Sequence, residues 1–405
     1  MSVKLCDVCE LIVDCPHSTE PDEGKGYPII RTPDIGPGYL DLSNVQRVGQ
    51  DAYDRRNVRA VPMPMDLILA REAPAGNVGI ILEGMQVCLG QRTVLIRPNQ
   101  SKVYPYYLNY YLNAPRQRHR LLCNANGATV SHVNMPVIRN LPVDLPSLDQ
   151  QKRIADILSA YDKLIENNRR QIALLEEAAQ RLYKEWFVDL RFPGYETVSI
   201  HDGLPEGWKK GPLLTWVKYI RGRSYNAEDL RGSDASILIN LNNIAAFGGW
   251  NAGAEKPYSG AFKPDQVVAS GDVIMAVTDM TKERRLVGHV ARIPKNASGG
   301  IVSMDLVKLV PEAVEPNYLY AYLRFSGVAE MIAMLANGTN VLHLKPEALN
   351  RAELIVPSQR VQVSYANYVQ PFFDAIESGE QQIAAAREAR DRLLPKLMSG
   401  EIEVV

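Results

Sequence analysis

The chain lacks the short motifs that mark most nucleotide-driven and hydrolytic enzymes. No G-x-x-x-x-G-K-S/T loop occurs, so ATP-driven work by this chain is not expected. No G-x-G-x-x-G follows a predicted strand, and neither Asn-Pro-Pro-Tyr nor Asp-Pro-Pro-Tyr is present, which removes the methyl-donor pocket of an amino-methyltransferase. H-E-x-x-H and G-x-S-x-G are also missing. Acids such as Asp22 and Glu23 lack the spaced Glu-x-Lys partner of a metal-dependent nuclease. A catalytic role is therefore not supported.

Other absences narrow the class further. No run of about 18 apolar residues exists, so no membrane span is expected. The opening MSVKLCDVCELIVDC has no basic region ahead of a long apolar stretch, which leaves the protein in the cytoplasm. Five cysteines, an odd number without a matched framework, fit reduced thiols there. Cys6, Cys9, Cys15 and His17 resemble a zinc knuckle by residue type. No second C-x-x-C pair follows, and Leu11, Ile12 and Val13 read as a strand, so no metal is assigned. The net charge is −1 and the pI about 6.6, so any nucleic-acid contact must come from local basic patches.

What the chain does have is length, a long helix, and a repeat. Its 405 residues suit two domains with connecting helices. From Ile154, the residues Leu158, Tyr161, Ile165, Asn168, Ile172, Leu175, Ala179, Leu182 and Trp186 follow at alternating steps of four and three, a heptad seam. Ser147 and Gln150 form a capping box at the start. A helix of about 40 residues is roughly 60 Å long, more than one ordinary core needs. Pro146 and Ser147 recur as Pro357 and Ser358, a shift of 211. The same ungapped shift lays Gln151, Ala155, Ile165, Glu166, Gln171 and Ile172 on Gln362, Ala366, Ile376, Glu377, Gln382 and Ile383.

The second copy of the helix carries the seam Tyr365, Val369, Phe372, Ile376, Gly379, Ile383, Ala386, Arg390, Leu393 and Leu397. Pro371 and Pro395 are expected near kinks or ends, and Gly379 weakens the middle. The two helices are expected to pair antiparallel, with Leu175 and Trp186 near small residues of the other copy. Asn168 is a candidate for fixing the register.

The repeat also reaches the globular regions. Pro105, Tyr107, Leu108, Tyr111 and His132 shift onto Pro316, Tyr318, Leu319, Tyr322 and His343. Short apolar runs between Pro- and Gly-rich turns predict sheets with long loops in both regions, and residues 105–122 predict one helix. The fold class is α+β: two similar domains separated by two long helices packed as an antiparallel coiled coil, with a pseudo-two-fold internal repeat. The expected division is 1–142 (first domain), 143–195 (central helix and connector), 196–356 (second domain) and 357–405 (C-terminal helix).

Candidate DNA contacts follow from guanidinium chemistry, which suits both phosphates and guanine edges. Arg116, Arg118 and Arg120 cluster at the end of one predicted helix, and Thr281, Lys282, Arg284 and Arg285 lie in the loop TDMTKERR that begins at Thr278. Paired Asn-Gly loops add Thr129 and His132 in one copy and Asn340 and His343 in the other. Arg71, Arg221 and Arg223 complete the set. The competing reading of each cluster is a solvated charged face or a plain turn.

Several of these stretches together resemble the DNA-specificity subunit of type I restriction-modification systems. They are Pro146-Ser147 opening a long helix, Glu166-Asn167-Asn168 at its centre, the close Leu182-Tyr183-x-x-Trp186-Phe187-Val188-Asp189, Leu204-Pro205-Glu206-Gly207-Trp208, and the ending Leu393-Leu394-Pro395-Lys396-Leu397-Met398-Ser399-Gly400. Asp66-Leu67-Ile68-Leu69-Ala70-Arg71 and Val277-Thr278-Asp279-Met280-Thr281 resemble that family's target-recognition domains. The resemblance implies a non-catalytic subunit whose two domains each read half of a bipartite site in double-stranded DNA. It implies that the helices dock two methyltransferase subunits carrying S-adenosylmethionine, that restriction subunits add ATP- and Mg-dependent translocation, and that this chain itself binds no cofactor. A rod of roughly 60 Å would then set the half-site spacing near one DNA turn, about 34 Å; four residues inserted in register between Ala160 and Arg170 would widen the gap. Two rivals remain open at this stage: a coiled-coil scaffold with no base-specific DNA binding, and recognition on behalf of a fused methyltransferase-nuclease.

Overall fold

A computed structural model describes residues 2–123, 132–231 and 236–404. The chain divides into two compact units, residues 1–163 with 386–405 and residues 164–385. Each is organised around the same pair of sheets.

In the first unit a four-stranded antiparallel sheet runs in the order Cys9–Asp14, Thr93–Pro98, Leu67–Ala70, Val78–Ile80. Its central strand is apolar on both faces because both are covered. Leu67 and Leu69 enter one core with Tyr107 and Leu108, whereas Ile68 and Ala70 enter another with Ile30 and Leu89. This is the two-residue period of a strand dividing one run between two layers. The second sheet centres on Tyr27–Ile30, which pairs antiparallel with Arg47–Val48 and parallel with Cys88–Leu89.

The second unit repeats the arrangement. Val217–Arg221, Leu306–Pro311, Val273–Ala276 and Val290–Arg292 form the four-stranded sheet. Val273 and Met275 face one core while Ile274 and Ala276 face another. Ser236–Ile239 pairs antiparallel with Lys256–Tyr258 and parallel with Ile301–Val302. Of the apolar stretch Leu286 to Arg292 only Val290–Arg292 is a strand, because the preceding residues close the basic loop.

A helix lies on each four-stranded sheet: Pro105–Asn113 in the first unit, Pro316–Phe325 in the second. The expected single helix over 105–122 is two helices, since Pro115 disfavours helical geometry at Ala114 and a second helix starts afresh at Pro115–Cys123. Equivalent tyrosines fasten both helices to the closing strand. The Tyr107 hydroxyl donates to Asp144 O at 3.5 Å, and the Tyr318 hydroxyl donates to Ile355 O at 2.5 Å.

The long helices share a buried glutamine at their starts, and the first has a cap as well. Ser147 and Gln150 exchange hydrogen bonds as a capping box. Gln151, 1% exposed, accepts from Tyr104 N at 2.8 Å and donates to Pro146 O at 2.9 Å. Gln362, also 1% exposed, accepts from Glu315 N and donates to Pro357 O, both at 2.8 Å. One buried amide at each repeat thus ties the helix entry to the residue that precedes Pro105 or Pro316.

The first long helix spans Leu148–Tyr183, followed by a π-turn at Lys184–Val188, and the second spans Gln359–Ser399. Pro371 lies well inside the second helix, whereas Pro395 lies near its C-terminal end. Their segments pair antiparallel within each unit. In the first unit Ile154, Leu158 and Leu397 share a core with Leu393 at its edge, and Asp162 accepts from Arg390 at 2.6 Å. In the second unit Ile172 covers Gly379, Asn168 donates to Gln382 at 3.2 Å, and Trp186 meets Tyr365. Among the remaining seam residues Ile165 and Val369 are buried, whereas Tyr161, Leu175, Leu182, Phe372, Ile376 and Ile383 are half-buried.

Two expectations for the seam change. Gly379 is the place where Ile172 fits, because an added Cβ would stand 3.1 Å from Ile172 Cγ1. Trp186 meets large aromatic residues. It stands edge-on to Tyr365 and Tyr368 at 5.7 and 5.5 Å, since aromatic edges pack well on aromatic faces.

The copies also diverge at equivalent places. Asp162 in the first unit takes a hydrogen bond from Tyr110 as well as from Arg390. Its counterpart under the shift is Phe373, which packs against Tyr320 and under Arg292. Asn168 likewise corresponds to Gly379, so its polar contact has no second copy. Among the described residues no helix is long and apolar enough to cross a membrane, and no group of three or more His, Cys, Asp and Glu side chains is placed to hold a metal.

Candidate nucleic-acid interface

The most basic loop of the second unit is held by one carboxylate. Asp279, fully buried, accepts from Thr281 N at 2.6 Å, Leu286 N at 2.6 Å and Val287 N at 3.1 Å. Burial alone would raise its pKa, but these backbone donors outweigh that and hold it below the usual carboxylate range. The Thr281 hydroxyl also accepts from Arg285 N at 3.1 Å. The loop is thereby closed at its base. Lys282 and Arg285 are exposed and Arg284 half-buried, with Arg284 at φ 53°. Such a conformation is costly for a residue with a side chain and persists only when its surroundings enforce it.

The strand entering that loop, Thr278–Asp279, pairs with Leu342–His343 so that Thr278 opposes His343. Thr278 is nearly buried and donates to Asp305 at 3.0 Å, whereas His343 and Asn340 are exposed. Thr278, Thr281, Lys282, Arg284, Arg285 and His343 therefore belong to one edge of the unit. Arg221 and Arg223 lie on the sheet's outer strand and beyond it. Both are exposed, and Arg221 pairs with Glu347 at 2.7 Å.

The corresponding edge of the first unit is built differently. Val133 N donates to Arg71 O at 3.0 Å, as Leu344 N donates to Val277 O at 2.8 Å, so Arg71 occupies the place of Val277. Arg71 is only 6% exposed. Its Nη1 donates to both oxygens of Asp14 at 2.7 Å, its Nε to Val133 O at 2.9 Å, and its Nη2 lies 2.8 Å from His132 Nε2. A guanidinium only donates, so His132 Nε2 accepts and its Nδ1 carries the proton toward Glu72 Oε1, 2.7 Å away. Arg92 pairs with the other Glu72 oxygen at 2.8 Å. Arg71 and His132 are thus brought together, but Arg71 is spent on internal contacts with Asp14, His132 and Val133 rather than facing outward.

The Arg116 cluster rides on Pro115–Cys123. Arg116 is exposed, Arg118 lies half-buried beside Gly76, and Arg120 contacts Gln117 and stands 3.9 Å from Asp144. Thr129 and the loop 126–129 lie outside the described residues. Asp14, Glu72 and Asp279 were missed by the sequence reading. Each is a single acid in a strand or turn, and only its partners distant in the chain reveal its role.

The chain also has recognisable relatives. Residues 1–177 match the family described as type I restriction modification DNA specificity domain. The type I restriction enzyme MjaIX specificity subunit of Methanocaldococcus jannaschii is 26% identical, over 99% of this chain and 93% of its own. The HindI specificity subunit of Haemophilus influenzae is 22% identical, over 76% of this chain and 80% of its own. The crystal structure of a type I restriction-modification S subunit from M. genitalium shares the fold, with a TM-score of 0.59 at 14% identity over 98% of this chain and 95% of that one. The chain thus matches a type I restriction modification DNA specificity domain over residues 1–177, aligns along its length with relatives named as type I specificity subunits, and shares the fold of one such subunit.

Proposed function

We propose that this chain is the non-catalytic subunit that reads DNA sequence for a type I restriction-modification complex. The observation that supports it best is one specificity fold occurring twice with two unlike edges: a basic loop anchored on Asp279 in one copy, and a buried Arg71–His132 network in the other. Two sites of one kind with different chemistry suit two different half-sites.

The subunit binds double-stranded DNA and assembles with other subunits of the system. In our reading the first domain, 1–142, and the second, 196–356, each take one half-site. The long helices dock two methyltransferase subunits, which bring S-adenosylmethionine, and translocase subunits bring ATP and Mg. Helix length, at about 1.5 Å per residue, would set the spacing. Such a complex works where the chromosome is, in the cytoplasm.

Methylation-sensitive long-read sequencing of DNA from cells expressing the assembled complex tests this reading. The expected result is one bipartite motif with a fixed gap, and gel shifts in which the purified complex prefers that motif to random duplex. Equal binding to both duplexes would instead support a scaffold.

A further inference from the structure

Beside the basic loop of the second unit stands an aromatic side chain that the function has not absorbed. Phe247 lies in the turn 245–249 and is 50% exposed, with φ 64°. Few residues other than glycine adopt that conformation. Three contacts enforce it. Phe247 N donates to Arg285 O at 2.7 Å, which joins the turn to the basic loop. Phe247 O accepts from Arg324 Nη1 at 2.7 Å. The ring stands edge-on to His289, with centroids 5.7 Å apart and planes at 85°. Gly248 and Gly249, at φ 100° and 95°, carry the chain back so that Gly249 N bonds Val290 O at 2.8 Å.

We infer that Phe247 reads a thymine by touching its 5-methyl group in the major groove, next to phosphates or bases held by Lys282, Arg284 and Arg285. The inference rests on the DNA-reading function proposed above. A ring braced on one side by His289 is not free to slide between base pairs as a wedge residue must. It instead offers a fixed apolar surface, and the thymine methyl is the apolar group on the major-groove edge of the bases. The neighbouring cations supply charge complementary to DNA, and the bond between Phe247 and Arg285 couples the apolar and basic contacts in one rigid element.

The first unit has a turn in the same place. Its Gly38 N bonds Val78 O at 2.8 Å as Gly249 N bonds Val290 O, and the bridges Ile35 to Leu40 and Ile244 to Trp250 flank the two turns. There the exposed aromatic is Tyr39, 52% exposed and folded over Gly36. A phenol in a different pose would contact a different base edge, in keeping with two unlike half-sites.

The test uses the complex with its methyltransferase subunits and the motif from the methylation map. Each thymine in both half-sites is replaced singly by deoxyuridine, which removes only the methyl, and binding is measured by gel shift. The wild-type complex is expected to lose about fourfold at one thymine, the value of one buried methyl. Phe247→Ala should bind the thymine and uridine duplexes equally at that position. Phe247→Leu, which keeps an apolar contact and the fold, should retain part of the difference. Equal losses by both variants on thymine and uridine duplexes would overturn the inference, as would a motif without thymine in either half-site or a Phe247→Leu complex that fails to assemble. A wild-type complex that does not distinguish its motif from random duplex marks failure of the DNA-reading function itself; discrimination without coupling to Phe247 marks failure of this inference alone.

Discussion

Gln151 and Gln362 make the same two hydrogen bonds in two copies of one fold, so a single substitution can be tested twice in one chain. Gln→Met is the informative change, because it keeps the volume and the helix propensity while removing both bonds. At 1% exposure neither site admits bulk water, so Tyr104 N–H and Glu315 N–H each lose their acceptor. A buried backbone group without a partner costs about 1–3 kcal/mol. The proline carbonyls that also lose a donor keep a second lone pair and add less, which gives roughly 2 kcal/mol per site. In a unit of this size each kcal/mol lowers the midpoint by about 2–4 °C, so Gln151→Met and Gln362→Met should each cost about 4–8 °C. Thermal unfolding followed by circular dichroism measures the cost, and amide hydrogen exchange locates it. Exchange at Tyr104 should quicken only in Gln151→Met and at Glu315 only in Gln362→Met. A cost below about 0.5 kcal/mol at either site, or a penalty at one without the other, would refute the argument that the repeat preserves a structural clamp.

Two further outcomes are expected. In the second unit, burial and then the nearby Glu176 and Glu377 push the Glu380 carboxyl up to about 8, from an ordinary value of 4.5. The folded unit therefore binds that proton more tightly than the unfolded chain, so the contribution is intact below about pH 4.5 and is lost as pH rises through 8. Melting scans from pH 5 to 9 should show the second unit weakening toward alkaline pH, with Glu380→Gln removing that part of the slope; an unchanged slope would exclude Glu380 as its source. In the basic loop, Lys282→Ala with Arg285→Ala should leave base preference intact but reduce the slope of log affinity against log salt by about 2 if both side chains contact phosphate. Salt titrations of DNA binding read this directly, and an unchanged slope would place both residues away from the backbone.

Much of the architecture was legible because it follows from local pattern and repetition. Leu67 to Ala70 is an apolar run bounded by turns, and such a run reads as a buried strand whatever lies around it. The seam from Ile154 to Trp186 and its copy are periodic, and periodicity predicts which face is covered. The resemblance to specificity subunits rested on the order of several such stretches. Arg71 was harder to read, because an arginine facing DNA and one held by Asp14 and His132 have the same sequence signal. Phe247 went unremarked for a similar reason: its left-handed turn needs Arg285, Arg324 and His289, all far from it in the chain.

The amino-acid order by itself determined the two-fold repeat, the long helices with the capped start of the first, and the absence of catalytic motifs, since each is read directly from residue types and spacings along the chain. Only the tertiary structure decided what each charged or seam residue does. It gave Gly379 its purpose under Ile172, turned Arg71 inward, made Asp279 the anchor of the basic loop, and set Phe247 beside Arg285. The reason is physical: a side chain's role is set by the donors, acceptors and surfaces that meet it, and in this protein those arrive from segments tens to hundreds of residues away.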